Sequence, residues 1–425
     1  MRVDRQHQSG VPPAMPMSAA AIQPMPAVSE PGEKPRRVIA FFGHDSTEYT
    51  LIKRVTSFQA HGSRVIGFMF KRIRNKRPRP VQWENVELGL TVDRNYLRRL
   101  PKLARGLMIA LQHRHLLRQC QIFYARNIDM LLIAVLSKLL SGSKAPVVYE
   151  VLDVQRIFVG SRFVNVAARW AERRLMAQCS TLVVSSPDFM TRYFLPQQGY
   201  TGDWRLLENK VSVPPAVASR AEEQPQHLPR PWVIGWFGTL RCVRSLQILC
   251  EIADTLGEEA SIHLRGLPSH EDLPLSLIEA AAAERRNFRY GGPYASPDDL
   301  AAIYADVHFA WCVDYLDAGG NSDWLLPNRI YEGGMMGSLA LARKNTAVSR
   351  FVECHALGWS FDEPLALTVA AFLRTLDAAT YWHARSHVAG LKRSLFVDET
   401  DTRDLLDHVD RLAGIASPEP AASSR

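Results

Sequence analysis

Short, nearly continuous apolar segments alternate with longer segments of helical period along most of this chain. The apolar segment 38–42 leads into the loop GHDS, and a predicted helix follows with an apolar face at Tyr49, Ile52, Val55 and Phe58. A second apolar segment at 64–70 completes a β-α-β unit. The same alternation predicts strands at 121–126, 146–153 and 181–186 and helices at 96–119, 128–141 and 161–178. Strands that are apolar on both faces indicate a parallel sheet covered by helices on both sides.

A segment rich in proline and charge, 213–231, interrupts this alternation and is typical of a linker. Beyond it the pattern starts again, with strands predicted at 232–238, 260–266, 288–292, 308–314 and 338–343 and helices at 245–257, 296–307 and most of 365–414. The sequence therefore predicts an α/β protein with two doubly wound, Rossmann-like domains facing each other across a cleft. We place the divisions as a tail (1–35), a first domain (36–213), a second domain (214–364), helices that pack back on the first domain (365–414) and a second tail (415–425).

The composition is that of a globular protein, and it also bears on metal binding and on the cellular compartment. Of 425 residues, 47% are hydrophobic and 22% charged, and the six cysteines form neither a CxxC pair nor a zinc-ligand pattern. We therefore expect no metal, and a cytoplasmic protein in a reducing compartment. The net charge of +8 is concentrated between Lys71 and Arg118, where thirteen basic residues stand against three acidic ones. Such a segment predicts a surface for anions.

The common signatures of α/β enzymes are missing from the sequence. It has no GxGxxG after the first strand, no GxxxxGK[ST], no DxD pair at a strand end and no GxSxG. This argues against a dinucleotide dehydrogenase, a P-loop ATPase and an α/β-hydrolase. The remaining candidate chemistry lies in loops that follow strands, because ligands of parallel sheets bind beyond the carboxyl ends of the strands.

Two segments of the second half have the residues expected of a nucleotide site. Arg241 and Arg244 precede a predicted helix, where guanidinium groups and free backbone N–H groups bind phosphate. In DWLLPNRIYEGGMMG (323–337) a second helix is predicted to begin at Pro327. Three of its residues are candidate ligands, with phosphate near Asn328 and Arg329 and the two ribose hydroxyls at Glu332. Gly291 and Gly292, in RYGGPY, would let a base approach the backbone closely.

The chain resembles GT-B glycosyltransferases of the glycosyltransferase 4 type, especially those of bacterial succinoglycan-type exopolysaccharide synthesis. The resemblance rests on VIAFFGHDS, PVVYEVLDVQ, TLVVSSPDFMTRYF, IGWFGTLRCVRSL and LPNRIYEGGMMG, within residues 37 to 360. It implies a nucleotide-sugar donor in the second domain, with Glu332 as the last Glu of an E-x7-E motif that binds the ribose. The residue eight positions earlier is Trp324, beside Asp323, so the first Glu of that motif is absent.

The resemblance also implies an acceptor in the first domain, namely a polyprenyl-diphosphate-linked saccharide that receives a hexose, expected to be glucose from a UDP-sugar. A base for the acceptor hydroxyl is predicted at His44, oriented by Asp45, or alternatively at Asp153. Asn127 or Asp129 is interpreted as a helix cap. The basic residues Arg98, Arg99, Lys102 and Arg105 lie on the helix expected to dock on an anionic membrane at its cytoplasmic face.

Two other functions remain open at this point. A nucleotide-sugar epimerase can have the same two-domain architecture, and so can a non-catalytic scaffold that binds nucleotide. Nucleic acid is not an expected partner, because the basic segment lacks the interleaved aromatic residues on which bases stack.

Overall fold

A computed structural model of the protein describes residues 35–72, 81–91, 96–212 and 230–416, and the side chains of residues 96–99 are not part of that description. The first half contains seven strands: β1 (Arg37–Gly43), β2 (Ser63–Arg72), β3 (Glu84–Thr91), β4 (Ile122–Arg126), β5 (Val147–Val151), β6 (Thr181–Val184) and β7 (Trp204–Leu206). Its helices are α1 (Tyr49–Ala60), α2 (Tyr96–Gln112), α3 (Arg114–Gln119), α4 (Ile128–Ser141), α5 (Phe163–Met176), α6 (Pro187–Phe189) and α7 (Leu195–Gln198).

The seven strands form one parallel sheet in the order β3-β2-β1-β4-β5-β6-β7. The helices α2, α3, α4 and α5 supply the apolar side chains that cover one face of this sheet. On the opposite face, α1 contributes Leu51, Val55 and Phe58. The apolar periodicity of the sequence therefore produces the doubly wound arrangement that it predicts.

A second parallel sheet follows, in the order β10-β9-β8-β11-β12-β13. Its strands are β8 (Trp232–Leu240), β9 (Ala260–Pro268), β10 (Phe288–Tyr290), β11 (Phe309–Trp311), β12 (Leu339–Arg343) and β13 (Gly358–Phe361). The helices of this half are α8 (Val243–Leu256), α9 (Leu275–Glu284), α10 (Leu300–Tyr304), α11 (Asn321–Trp324), α12 (Asn328–Met335), α13 (Ala347–His355), α14 (Leu365–Thr375), α15 (Ala378–Ala389) and α16 (Asp401–Ala413). One continuous core lies between this sheet and most of these helices, whereas α16 packs elsewhere.

The last helix, α16, packs on the first sheet rather than on the second. Its residues Leu405, Leu406 and Val409 join the core on the α1 side. The Arg37 guanidinium donates to both carboxylate oxygens of Asp410 at 2.7 and 2.6 Å, and both side chains are buried. This contact ties the end of the chain to its first strand.

Some elements differ from the sequence prediction at the edges of the sheets. The strands β3, β7 and β13 were not predicted, because edge strands are half exposed and their sequences are mixed rather than continuously apolar. The helix predicted at 96–119 is divided at His113 into α2 and α3. The helix predicted at 296–307 is confined to α10, and α12 begins at Asn328 with Pro327 in the capping position.

Candidate active site

The loops that follow the strands of both sheets meet at one place. Asp153 lies two residues beyond β5, and its Oδ1 accepts a hydrogen bond of 2.8 Å from the Asn321 amide of α11. The Asn321 side-chain oxygen in turn accepts from the backbone N–H of Val154 at 2.9 Å. The carboxyl ends of the two sheets therefore face each other, as expected for ligand binding by parallel sheets.

Glu332, on α12, is the most deeply buried of the predicted ligands. It is 4% exposed, and burial raises the pKa of its carboxyl above the ordinary value. Its two hydrogen bonds are long, with Ser296 Oγ donating to Oε1 at 3.4 Å and the Tyr294 hydroxyl donating to Oε2 at 3.5 Å. A carboxylate has about four lone-pair sites, and bonds of this length are weak. The Glu332 carboxylate is therefore incompletely hydrogen bonded within the protein.

Helix α1 of the first sheet contributes to the surroundings of Glu332. The Tyr49 hydroxyl donates to Ser296 Oγ at 2.9 Å, and the Lys53 ammonium favours the ionised form of Glu332. Burial, together with the neighbouring Arg54, lowers the pKa of Lys53 to about 7. Tyr49 was predicted on the apolar face of α1, but its hydroxyl bonds across to the second sheet. The ribose site predicted in the second half thus has one wall from the first half.

Asn328 and Arg329 stand at the first turn of α12. The Arg329 guanidinium donates from Nη2 to the carbonyl oxygen of Val313 at 3.3 Å. Its Nε is buried and has no hydrogen-bond partner among the described residues. Arg329 therefore lies between the start of α12 and the end of β11, with a donor still available close to Glu332.

The structure separates the two arginines predicted to bind phosphate. Arg241 donates through Nη2 to Asp314 Oδ2 at 2.9 Å, and its charge opposes the raised pKa of Asp153 across the cleft. Arg244 instead pairs with Glu363 at 3.2 Å and stacks over the Tyr315 ring at 4.1 Å. Of the two, Arg241 faces the strand ends of both sheets.

The two glycines of RYGGPY follow β10, and each position favours glycine for a different reason. A side chain at Gly291 would collide with Arg265, whose Cδ lies 2.6 Å from the position of an added Cβ. Gly292 has a φ of +74°, in the left-handed region that favours glycine, and the space around it is open. Close approach by a ligand is thus compatible with Gly292, whereas a side chain at Gly291 would require Arg265 to move.

The predicted base His44 has a partner that the sequence reading missed. Its Nε2 lies 2.8 Å from the carboxylate of Glu48, and its Nδ1 lies 3.3 Å from the Asn127 amide. Burial opposes ionisation of Glu48, but the charge of His44 and its hydrogen bond hold the pKa of Glu48 well below its ordinary value. Asp45 is directed elsewhere and accepts from the Thr47 N–H and hydroxyl at 3.0 and 2.7 Å. Glu48 therefore occupies the place predicted for Asp45.

Asn127 precedes α4, as predicted for a cap, but its side chain makes no capping hydrogen bond. Its φ of 70° is rare for a residue with a side chain, and strained backbone of this kind is frequent at functional sites. The amide is instead directed at His44. Asp129 lies in the first turn of α4.

Asp153, the competing base, is exposed to solvent, but the protein around it still removes part of its hydration. Burial raises the pKa of its carboxyl, and the charge of Arg241 and the hydrogen bond from Asn321 offset part of that effect. A raised pKa in a cleft is a feature of functional carboxyl groups. Both candidate bases thus remain at the carboxyl ends of the first sheet.

Trp324, which stands where the first Glu of E-x7-E would be, packs against the core of the first sheet. Its carbonyl oxygen accepts a hydrogen bond from Ser186. Asp323 beside it forms an ion pair with Arg343. These two residues connect structural elements, so the structure directs neither of them toward Glu332.

The predicted membrane residues lie on α2. Lys102 is partly buried and Arg105 is exposed, whereas the side chains of Arg98 and Arg99 lie outside the described residues. Lys102 also lines a small pocket with His44, Arg72 and Asp129. Within the described ranges, no helix is long and apolar enough to cross a membrane. The same part of the chain contains no group of three or more His, Cys, Asp or Glu that could hold a metal ion.

Comparison with known proteins shows which sequences and structures the chain is similar to. No family model matches the chain. It is 32% identical over 372 residues to the succinoglycan biosynthesis protein ExoL of Rhizobium meliloti, a match that covers 87% of this chain and 92% of that protein.

Solved structures agree with the fold. The chain is similar to HepE of Anabaena in complex with UDP and glucose, with a TM-score of 0.62 and 15% identity over 88% of this chain and 100% of that one. It is also similar to sucrose-phosphate synthase of Thermosynechococcus elongatus, with a TM-score of 0.65 and 14% identity over 89% and 100% of the two chains. At these identities the likeness shows the fold alone, and it confirms the predicted GT-B architecture.

Proposed function

The chain belongs to the GT-B glycosyltransferase family of the succinoglycan biosynthesis protein ExoL, and we propose that it transfers a hexose from a UDP-sugar to a lipid-linked saccharide. The expected donor is UDP-glucose. The expected acceptor is attached to a polyprenyl diphosphate at the inner face of the cytoplasmic membrane. HepE, a protein of the same fold, has been captured with UDP and glucose, which supports this donor class.

The single observation that most supports a nucleotide donor is the state of Glu332. Its carboxylate is buried, yet among the described residues it receives only two hydrogen bonds, of 3.4 and 3.5 Å. Leaving a buried charged group poorly paired is costly unless a ligand completes its hydrogen bonds. The two hydroxyls of a ribose would donate to its two oxygens. Ligand binding would thereby satisfy a group that the protein alone does not.

The diphosphate would lie at the start of α12. Arg329 has a buried donor there, and Arg241 faces the same cleft from the loop after β8. Transfer breaks the bond between the anomeric carbon and the diphosphate oxygen, so negative charge increases on the leaving UDP. Guanidinium groups and the N-terminus of a helix stabilise that charge as it develops.

The acceptor hydroxyl forms the new bond to the anomeric carbon and gives up its proton. In our proposal this proton passes to His44 Nδ1, because the Glu48 carboxylate, 2.8 Å from Nε2, favours a hydrogen on that other nitrogen. The Asn127 amide, at 3.3 Å from Nδ1, would give way to the acceptor. Asp153 is the alternative base, and its raised pKa favours proton uptake.

The test is transfer of radiolabelled glucose from UDP-glucose to a polyprenyl-diphosphate-linked saccharide, measured as label in the organic phase. We expect transfer with release of UDP. We also expect a loss of roughly 10²–10⁴-fold in kcat for His44→Ala if His44 is the base. Full activity of His44→Ala with a comparable loss for Asp153→Asn would assign the proton to Asp153. Conversion of the free UDP-sugar to an epimer, without transfer, would overturn the proposal.

A further inference from the structure

The outer face of helix α5 exposes large apolar side chains that no other described part of the chain covers. Phe163 is 88% exposed and Trp170 is 58% exposed, and Val164 and Val166 between them are also about half exposed. Single apolar residues are common on protein surfaces, whereas a contiguous group marks an interaction site. Four such residues within eight positions of one helix form such a group.

The helical spacing places these side chains opposite the core. Phe163 and Trp170 are seven residues apart and Arg174 is four further, so the three lie along one stripe of α5. The other side of the helix contains Glu172 and Met176, which are buried against the first sheet. Packing of α5 is therefore complete on its inner side, and the apolar stripe has no role within the described chain.

Positive charge surrounds this stripe. The segment 161–178 contains four arginines (Arg162, Arg169, Arg173 and Arg174) and one acidic residue, Glu172. That acidic residue is buried, and it accepts hydrogen bonds from the Tyr149 hydroxyl at 3.0 Å and from the Gln198 amide at 2.6 Å. The Arg174 guanidinium lies 5.4 Å from the centre of the Trp170 ring. Outward-facing charge on α5 is thus entirely positive.

The position of α5 relates this surface to the candidate active site. The helix begins ten residues after Asp153, so its Phe163 end lies at the edge of the sheet where the strands end. Helices α2 and α4 cover the same face of the sheet and also expose apolar side chains, Leu100 and Met108 on α2 and Leu139 and Leu140 on α4. The Phe163 end of the α5 stripe is therefore the end nearest the cleft.

We propose that the outer face of α5 docks on an anionic lipid bilayer, with Phe163 and Trp170 entering the headgroup region and Arg162 and Arg174 contacting lipid phosphates. An amphipathic surface of aromatic, aliphatic and basic side chains is the kind that binds at such an interface. A second copy of the chain fits less well, because a symmetric contact would bring identical arginines together. The inference rests on the proposed function in so far as that function requires a lipid-linked acceptor. It adds an aromatic anchor on α5 to the basic surface expected on α2.

The test compares co-sedimentation of the full chain with vesicles of phosphatidylcholine and with vesicles that also contain phosphatidylglycerol. We expect binding to the anionic vesicles. The double variant F163S/W170S should bind them at least tenfold more weakly, since both side chains lose apolar burial in the bilayer. The control is Leu367→Ser on α14, a residue 64% exposed on the other half of the molecule, which should bind as wild type does. All three proteins are first compared by thermal unfolding, and Phe163→Tyr, which keeps the ring, should retain binding if the double variant is unstable.

The outcomes separate docking from donor binding. Loss of vesicle binding with an unchanged thermal shift by UDP supports the α5 surface. Two results would overturn docking and leave the proposed function in place. One is a wild-type protein that responds to UDP but does not bind anionic vesicles. The other is a wild-type dimer that becomes a monomer in F163S/W170S. Vesicle binding by a protein that ignores UDP would support docking and count against the proposed function.

Discussion

Two buried carboxylates in this molecule have opposite surroundings. Glu150, on β5, accepts from Arg126 Nε at 2.8 Å and from Arg54 Nε at 3.0 Å, both within the interior. Burial opposes its ionisation, but the two arginines hold its pKa below the ordinary value. Glu332 is as well buried, but its partners are two distant hydroxyls and its pKa is raised.

The contrast distinguishes a structural charge from a functional one. Glu150 has the partners that make a buried ion tolerable, so its removal would harm the fold. Among the described residues Glu332 forms no ion pair of this kind and the charge of Lys53 compensates only in part, so at neutral pH its ionised form is a cost to the fold that a ligand can offset. Natural proteins keep such unfavourable groups mainly where function needs them.

The largest effect is expected for Glu150→Gln. This change leaves the guanidinium groups of Arg54 and Arg126 buried without their counter-ion, which should lower the free energy of unfolding by about 3–5 kcal/mol. Urea unfolding followed by circular dichroism measures the difference. A loss below about 1 kcal/mol would mean that the network around Glu150 is not structural, and the comparison with Glu332 would then fail.

The matched change Glu332→Gln should act in the other direction. The raised pKa means that the folded state holds a proton more tightly than the unfolded state, so stability falls as pH rises from the ordinary value of 4.5 to the folded pKa. Removing the charge should therefore raise the free energy of unfolding at pH 7 by roughly 0.5–2 kcal/mol. The gain should disappear below pH 4.5. Destabilisation at pH 7 would contradict the interpretation of Glu332 as poorly paired.

A third change tests whether Lys53 of α1 contributes to nucleotide binding at Glu332. Lys53 favours ionisation of Glu332, so Lys53→Met should raise the pKa of Glu332 further and weaken UDP binding at pH 7 about three- to tenfold, or about 1 kcal/mol. Lys53→Arg, which keeps a positive charge, is the control. Titration calorimetry between pH 8 and pH 5 follows the affinity for UDP as Glu332 takes up a proton. As the pH is lowered, the affinity of Lys53→Met should begin to decline at a higher pH than that of wild type. Identical profiles would exclude coupling between the two residues.

The smallest effect concerns the first-sheet side of the cleft. Asn127→Gly should relieve a strained backbone conformation and raise the free energy of unfolding by about 1 kcal/mol. It should also reduce transfer, because the amide that orients the His44 imidazole before the acceptor binds is lost. Asn345, which also has a positive φ but no contact with the site, is the control: Asn345→Gly should leave transfer unchanged. Equal transfer by both glycine variants would show that the Asn127 side chain has no role there.

The sequence was sufficient for the fold because apolar periodicity determines parallel strands and their covering helices. The prediction was incomplete at the edge strands, where one side of the strand is exposed and the pattern weakens. Glu332 could be predicted because its position follows from a local motif. The neighbours that give it its character, Lys53 and Tyr49, come from α1, nearly 280 residues away in sequence, so only the packing of the two halves brings them together.

The same limit applies to the partner of the candidate base, His44. His44 was predicted from its place at the end of β1, but sequence proximity favoured Asp45 as its partner. The backbone turns at Asp45, which bonds to Thr47, and the start of α1 directs Glu48 back toward the imidazole. A separation of four residues was the available signal, since side chains at that spacing meet once a helix begins.

The most direct test of the account is a thermal-shift titration of wild type and Glu332→Ala with UDP, GDP and ADP. If Glu332 binds the ribose of a uridine nucleotide, UDP stabilises the wild-type protein. Loss of the charged hydrogen bonds should then weaken binding in Glu332→Ala roughly tenfold or more, without loss of the fold. An equal UDP shift in both proteins would contradict ribose binding by Glu332, because a nucleotide would then bind without the buried carboxylate.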